Sequence, residues 1–196
     1  MDTAYLFDLD GTLTSVELLP LIAEELGIRD EIAQLTSQTI AGEIPFEESF
    51  RRRVGILGQV DLDSVIDIVC NVPIQGSVMD WVISNRDDCW VVTGNLDCWV
   101  NPWLAKYGLR GFSSTAKIVG GRIGVNEILR KESVLENFRG KRTVMVGDGA
   151  NDAQLIASVD VGIASAIVHE VPPVVLEVAD YLVSEEETLC RVLSRL

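Results

Sequence analysis

Apolar and polar positions change rhythm along this chain. At 3–7, TAYLF is a strand-forming run that stops abruptly at Asp8, which marks a short buried strand. From Val16 to about Asn71 the spacing turns helical. ELLPLIAEELG ends at Gly27 and DEIAQLTSQTIAG ends at Gly42, each glycine a helix stop. PFEESFRRRVGILG puts Pro45 at a helix start, and DLDSVIDIVCNV reads as a fourth helix. Beyond them strands and helices alternate. CWVVT (89–93) reads as a strand, 96–107 as a helix, and 112–126 as strands around the turn Gly120–Gly121. A helix is expected over 127–138, and RTVMVGD then runs from a strand into a loop. Helix 152–158, strand 161–164, helix 171–178, strand 180–183 and helix 185–195 complete the pattern.

Such alternation predicts an α/β fold, a parallel sheet covered on both faces. The expected division is a core built from 1–15 and 72–196, with an all-helical insert over 16–71 after the first strand. Ligands on these sheets bind beyond the carboxyl ends of the strands. Three polar clusters fall there. Asp8 and Asp10 follow the first strand, Thr93 and Gly94 end the second in VVTGN, and Asp148 and Asp152 follow a later one in MVGDGAND. Lys131 precedes that last strand.

Four aspartates brought together repel one another by several kcal/mol unless a cation intervenes. Mg²⁺ resolves this, because it takes oxygen ligands, keeps waters and bridges to phosphate. An ionised aspartate facing a phosphoryl group is a nucleophile that forms an aspartyl-phosphate. A neighbouring carboxyl protonates the leaving oxygen and then activates water. A threonine hydroxyl, backbone N–H groups and a lysine hold the other phosphate oxygens. Taken alone, DxDG or TGN is an ordinary turn; all three clusters in this order, each after a strand, make a site. The further residues of an EF-hand loop are absent, as are a phosphate-binding P-loop and GxGxxG.

Charge narrows the partners. The chain has 196 residues, 47% of them apolar, and a net charge of -14. That acidity argues against nucleic acid and against anionic membrane surfaces, and no apolar run approaches the length of a membrane span. An anionic substrate then needs a locally inverted field from a cation, Lys or Arg. The four cysteines form no CxxC pair and read as small buried hydrophobes of a reducing compartment, and no signal peptide is read at the start. The expected protein is cytoplasmic, a monomer or homodimer, with a small phosphorylated metabolite as its partner. His169 reads as a surface or loop residue, and Trp81, Trp90, Trp99 and Trp103 as core packing. SEEET at 184–188 reads as a capped, acidic helix start.

FDLDGTLT, VVTGN, Lys131 and VGDGANDAQLI resemble, in order and spacing, the four motifs of the haloacid dehalogenase superfamily, with its Rossmann-like core. The resemblance implies that Asp8 is the nucleophile and Asp10 the general acid/base. It implies Mg²⁺ ligation by Asp8, the Asp10 carbonyl and Asp148, with Asn151 and Asp152 supporting the metal, and phosphate binding by Thr93, Gly94 and Lys131. The insert resembles the cap of the phosphoserine phosphatase subgroup. By that resemblance Glu17 meets a substrate ammonium, while Phe46 and Arg53 form the aromatic and carboxylate-binding wall. Arg offers a planar fork that suits a carboxylate. Asn95 stands where the family usually has a second glycine and so reshapes the substrate pocket; Thr93 replaces the commoner serine, and Ile40 a frequent methionine. The implied activity is Mg²⁺-dependent phosphomonoester hydrolysis, with L-phosphoserine the leading substrate. Its alternatives are another small phosphate ester or phosphotransfer to a small alcohol. A catalytically silent binding module is the reading from a different class, and intact Asp8, Asp10, Lys131 and Asp148 argue against it.

Overall fold

Thr3–Phe7 forms β1 because its side chains have somewhere apolar to go on both sides. Tyr5 and Phe7 face one hydrophobic layer, Ala4 and Leu6 the other. Each fully buried large apolar side chain contributes roughly 1.5–3 kcal/mol, so a doubly covered strand anchors the sheet. In this computed structural model, which describes residues 2–58 and 60–196, β1 lies at the centre of seven strands. Met1 and Gln59, which the expected core and insert ranges include, lie outside the described residues.

The strand order is β4-β3-β2-β1-β5-β6-β7. The strands are β2 (Cys89–Leu96), β3 (Gly111–Val119), β4 (Arg122–Glu127), β5 (Arg142–Gly147), β6 (Val161–Ser165) and β7 (Tyr181–Val183). All neighbours pair in parallel except β3 with β4, which form a hairpin. Its turn needs left-handed backbone at two successive residues, supplied by Gly120 (φ 59°) and Gly121 (φ 77°). The chain leaves β1 for β2 on one side and returns through β5 on the other. The crevice at this reversal is where α/β sheets bind ligands.

Among the described residues five α-helices and a 3-10 turn (Arg86–Asp88) separate β1 from β2: α1 (Leu18–Glu25), α2 (Arg29–Ile40), α3 (Phe46–Leu57), α4 (Leu62–Cys70) and α5 (Gly76–Ser84). The first four are those expected; α5 has no counterpart in the sequence reading. Entry to and exit from the helical segment are stitched together, since the Ser15 N–H donates to the Pro73 carbonyl at 3.0 Å and the Gln75 N–H to the Leu13 carbonyl at 2.9 Å. A second tie runs to the hairpin, where the Ile123 N–H donates to the Gly58 carbonyl at 3.2 Å. A Cβ at Gly58 would lie 2.6 Å from the Ile123 carbonyl oxygen, so this approach requires glycine.

Helices α6 (Asp97–Tyr107), α7 (Ala153–Ile156), α8 (Pro173–Leu176) and α9 (Glu186–Leu193) cover the sheet. The expected helix over 127–138 is corrected. Hairpin pairing to Thr115 carries β4 through Glu127, and only Lys131–Phe138 is helical, as a 3-10 turn. Strand β2 does not stop at Thr93 but continues to Leu96, with an irregular register against β3 between Val92 and Leu96. Among the described residues no helix is long and apolar enough to cross a membrane.

Candidate active site

Asp8 leaves β1 beside β5, its N–H donating to the Val146 carbonyl at 2.9 Å. The loop that follows turns back at Gly11, whose φ is +66°. A Cβ there would stand 2.1 Å from Asp148 Oδ2. Only a glycine lets the β1 loop and the β5 loop approach this closely.

Lys131 explains how buried acids coexist. Its ammonium donates to Asp8 Oδ1 and to Asp152 Oδ1, both at 2.6 Å, and all three side chains are buried. Burial alone disfavours the charged lysine; the Asp152 and Asp8 carboxylates overturn that and raise its pKa. Asp152 Oδ2 accepts the N–H groups of Asp148 at 3.3 Å and Gly149 at 3.1 Å, so Asp152 is fully engaged in bracing.

Burial and mutual repulsion raise the pKa values of the remaining acids. Burial, then Asp152, lifts Asp8 well above the usual carboxylate range. Burial and the nearby Glu17 push Asp10 up to about 8. Burial raises Asp148 to about 6, tempered by His169. Asp148 Oδ1 accepts from the Thr12 hydroxyl at 3.2 Å. Asp8, Asp148 and Asp152 each place a carboxylate oxygen within 4.8 Å of the others. A cluster of hard oxygen donors with excess negative charge fits a divalent cation such as Mg²⁺.

The cavity above these acids is lined by Asp8, Asp10, Asp148, Gly94 and Asn95 from the core side, with Asn151 beside them. Glu17, Phe46 and Arg53 close it from the helical side. Lys131, Thr93 and Asp152 do not line it; they stand behind its floor. Thr93 Oγ1 accepts the Asn95 N–H at 3.1 Å, and Gly94 offers its carbonyl to Ser114 Oγ at 2.7 Å. Asn95 Nδ2 donates to Asp10 Oδ2, and the Leu18 N–H donates to Asp10 Oδ1 at 2.7 Å.

Arg53 is 4% exposed. Nη1 donates to Thr36 Oγ1 at 3.0 Å, and Nε has no partner. Among the described residues it makes no ion pair; burial lowers its pKa, and Glu17 and Asp10 pull it back. A buried cation so poorly paired is costly unless a ligand completes it.

Thr36 and His169 are among the contributors that escaped the sequence reading. Thr36 is one of many polar helix positions, and nothing in its spacing marks it. His169 does lie in a loop, but its Nε2 stands 2.6 Å from Asp148 Oδ2 and 3.7 Å from Glu17 Oε1. The first contact is off the ring N–H direction and is better described as charge pairing than as an aligned hydrogen bond. Asp148, then Glu17, raises the imidazole to about 10. A lone histidine without periodicity gave no signal for this.

Comparison with known proteins agrees with this geometry. Residues 3–160 match the model of the haloacid dehalogenase-like hydrolases. The phosphoserine phosphatase of Methanocaldococcus jannaschii is 27% identical, over 93% of this chain and 92% of that one. The phosphoserine phosphatase of Archaeoglobus fulgidus is 28% identical over 92% of this chain, which spans 56% of its length. A solved phospho-aspartyl intermediate analogue of phosphoserine phosphatase superposes with a TM-score of 0.82 at 27% identity, covering 98% of both chains. A substrate-bound phosphoserine phosphatase superposes at 0.83 and 26% identity, covering 100% of this chain and 99% of the other. With the motifs in order and the model matched over most of its length, the chain belongs to the haloacid dehalogenase-like hydrolases.

Proposed function

We propose that this protein is a Mg²⁺-dependent phosphomonoesterase that cleaves L-phosphoserine to L-serine and phosphate. The observation that carries the reading is Arg53, a buried guanidinium with an empty Nε, lining the same cavity as Asp8. A small molecule bearing both a phosphate and a carboxylate satisfies both ends.

In this reading Asp8 attacks phosphorus with a carboxylate oxygen and becomes the aspartyl-phosphate. Asp10 gives a proton to the serine oxygen as the P–O bond breaks. Asp10 then takes a proton from the water that attacks the phosphoenzyme, and Asp8 is regenerated. Lys131 holds Asp8 in place from below, and the Gly94 backbone and Thr93 shape the phosphate seat. Asp8, Asp148 and the Asp10 carbonyl would hold Mg²⁺, braced by Asp152 and Asn151; the bound ion would neutralise phosphate charge. Residues 16–71 act as a cap, from which Glu17 pairs with the substrate ammonium and Arg53 with its carboxylate. The four free thiols fit a cytoplasmic enzyme of serine biosynthesis.

A screen of small phosphate esters with Mg²⁺, with and without an added acceptor alcohol, tests the assignment. Preferential release of phosphate from phosphoserine supports it. Preference for an ester without the amino acid, or transfer to the alcohol in place of water, would replace it.

A further inference from the structure

The Asp10 carboxyl is held from two sides. The Leu18 N–H donates to Oδ1 at 2.7 Å, and the Asn95 side-chain amide donates to Oδ2. An asparagine amide has two faces, and its orientation is set by whatever its oxygen meets. Here that partner is Trp99, four residues further on in the first turn of α6. Its indole Nε1–H donates to Asn95 Oδ1 at 3.4 Å. An indole N–H can only donate, so the Asn95 oxygen must face Trp99 and its NH₂ must face Asp10. Trp99 is 1% exposed and Asn95 5% exposed, which leaves solvent little chance to substitute for either contact.

We infer that Asn95, oriented by Trp99, is a positioning residue that fixes the carboxyl of Asp10 for proton transfer to the leaving group. The inference rests on the proposed phosphatase reading. A carboxyl free on one side turns about its own axis and spends part of its time out of line. One gripped at both oxygens keeps a fixed plane toward the cavity. A glycine at 95 has no side chain with which to do this. Asn95 lies within the stretch of irregular register between Val92 and Leu96 and lines the cavity. Misplacement of a catalytic group by about 1 Å costs as much as 100-fold in rate.

The test uses the leaving group. Serine leaves as an alkoxide and needs its proton; 4-nitrophenol leaves as a stable anion and does not. For both esters kcat/KM reports formation of the phosphoenzyme, where this difference acts. Asn95→Leu keeps the bulk and removes the amide. It is expected to lose roughly 10- to 100-fold in kcat/KM on phosphoserine, mostly in kcat, and several-fold less on 4-nitrophenyl phosphate. Asn95→Gly, which adds no apolar group, must show the same asymmetry. Trp99→Phe must show it more weakly, and the double variant Asn95→Leu/Trp99→Phe must lose no more than Asn95→Leu alone. Equal losses on the two esters, no loss at all, or additive losses in the double variant would overturn the inference. Thermal melts identify a variant that is merely misfolded; if Trp99→Phe is one, the two Asn95 variants decide. Wild type inactive on both esters would instead overturn the phosphatase reading and this inference with it.

Discussion

Phe46, at the start of α3, rests its ring on the bare α-carbon of Gly94, so closely that a Cβ there would lie 2.2 Å from Cζ. The contact joins the helical segment to the end of β2, and Phe46 is backed by Phe50, stacked at 5.3 Å. Gly94→Ala is therefore expected to expel the ring and lower kcat/KM on phosphoserine by roughly 10- to 100-fold while leaving the melting temperature within a few degrees. Adding Phe46→Leu should restore part of the loss. Steady-state kinetics of the single and double variants check this, and losses that simply add would refute the steric account.

Asp8→Asn removes the anionic attacker and leaves Lys131 its second carboxylate, Asp152. The fold should persist and turnover should vanish. Beryllium fluoride should inhibit the wild type as a mimic of the aspartyl-phosphate. Near-normal phosphatase activity in the variant would eliminate the covalent route.

Chelation should abolish activity and Mg²⁺ restore it, whereas Ca²⁺, with its larger and looser shell, should inhibit. The metal-free protein should also respond to pH in a particular sense. Asp148 is raised to about 6, Asp10 to about 8 and His169 to about 10. A group with a raised folded-state pKa stabilises most below its unfolded value and loses that contribution as pH rises through the folded one. The melting temperature of the metal-free protein should thus fall from about pH 4, the ordinary carboxylate range, up to about pH 10, where His169 has lost its proton. Saturating Mg²⁺ should flatten the slope, because it binds the deprotonated carboxylates. A melting temperature that rises over that interval without metal would contradict the charge assignment.

Arg53 separates stability from selectivity. Arg53→Ala should cost about 2–5 kcal/mol of transition-state binding on phosphoserine, roughly 30- to several-thousand-fold in kcat/KM, and far less on an aryl phosphate without a carboxylate. Arg53→Met, an apolar side chain of similar length, should melt higher than wild type in the absence of substrate, because it removes a buried charge that lacks an ion pair. Equal kinetic losses on the two esters would assign Arg53 to the fold or to phosphate binding.

The acids were readable in the sequence because Asp8, Asp10, Asp148 and Asp152 each follow an apolar strand, and such strands announce themselves. Four helices of the insert were readable from their glycine and proline punctuation. Helix α5 was not: its nine residues are largely apolar, and its cap residue Gln75 offers no side-chain hydrogen bond. Segment 127–138 carries a helical pattern that tertiary pairing overrides, Glu127 joining the hairpin opposite Thr115. The partners of His169 and of Trp99 are set by where loops and strand irregularities point, which no local pattern records. Trp99 does pack in the core as expected, and its one polar atom does something further.

The bond from Ile123 to Gly58 fastens the helical segment to the core at a second place, away from its entry and exit. A lid hinged along one edge opens wide enough to admit a loop of a folded protein; a lid fastened again at a second place opens as a slot. Metabolites pass a slot, and a phosphoserine embedded in a polypeptide does not, so phosphopeptides should survive incubation with this enzyme intact.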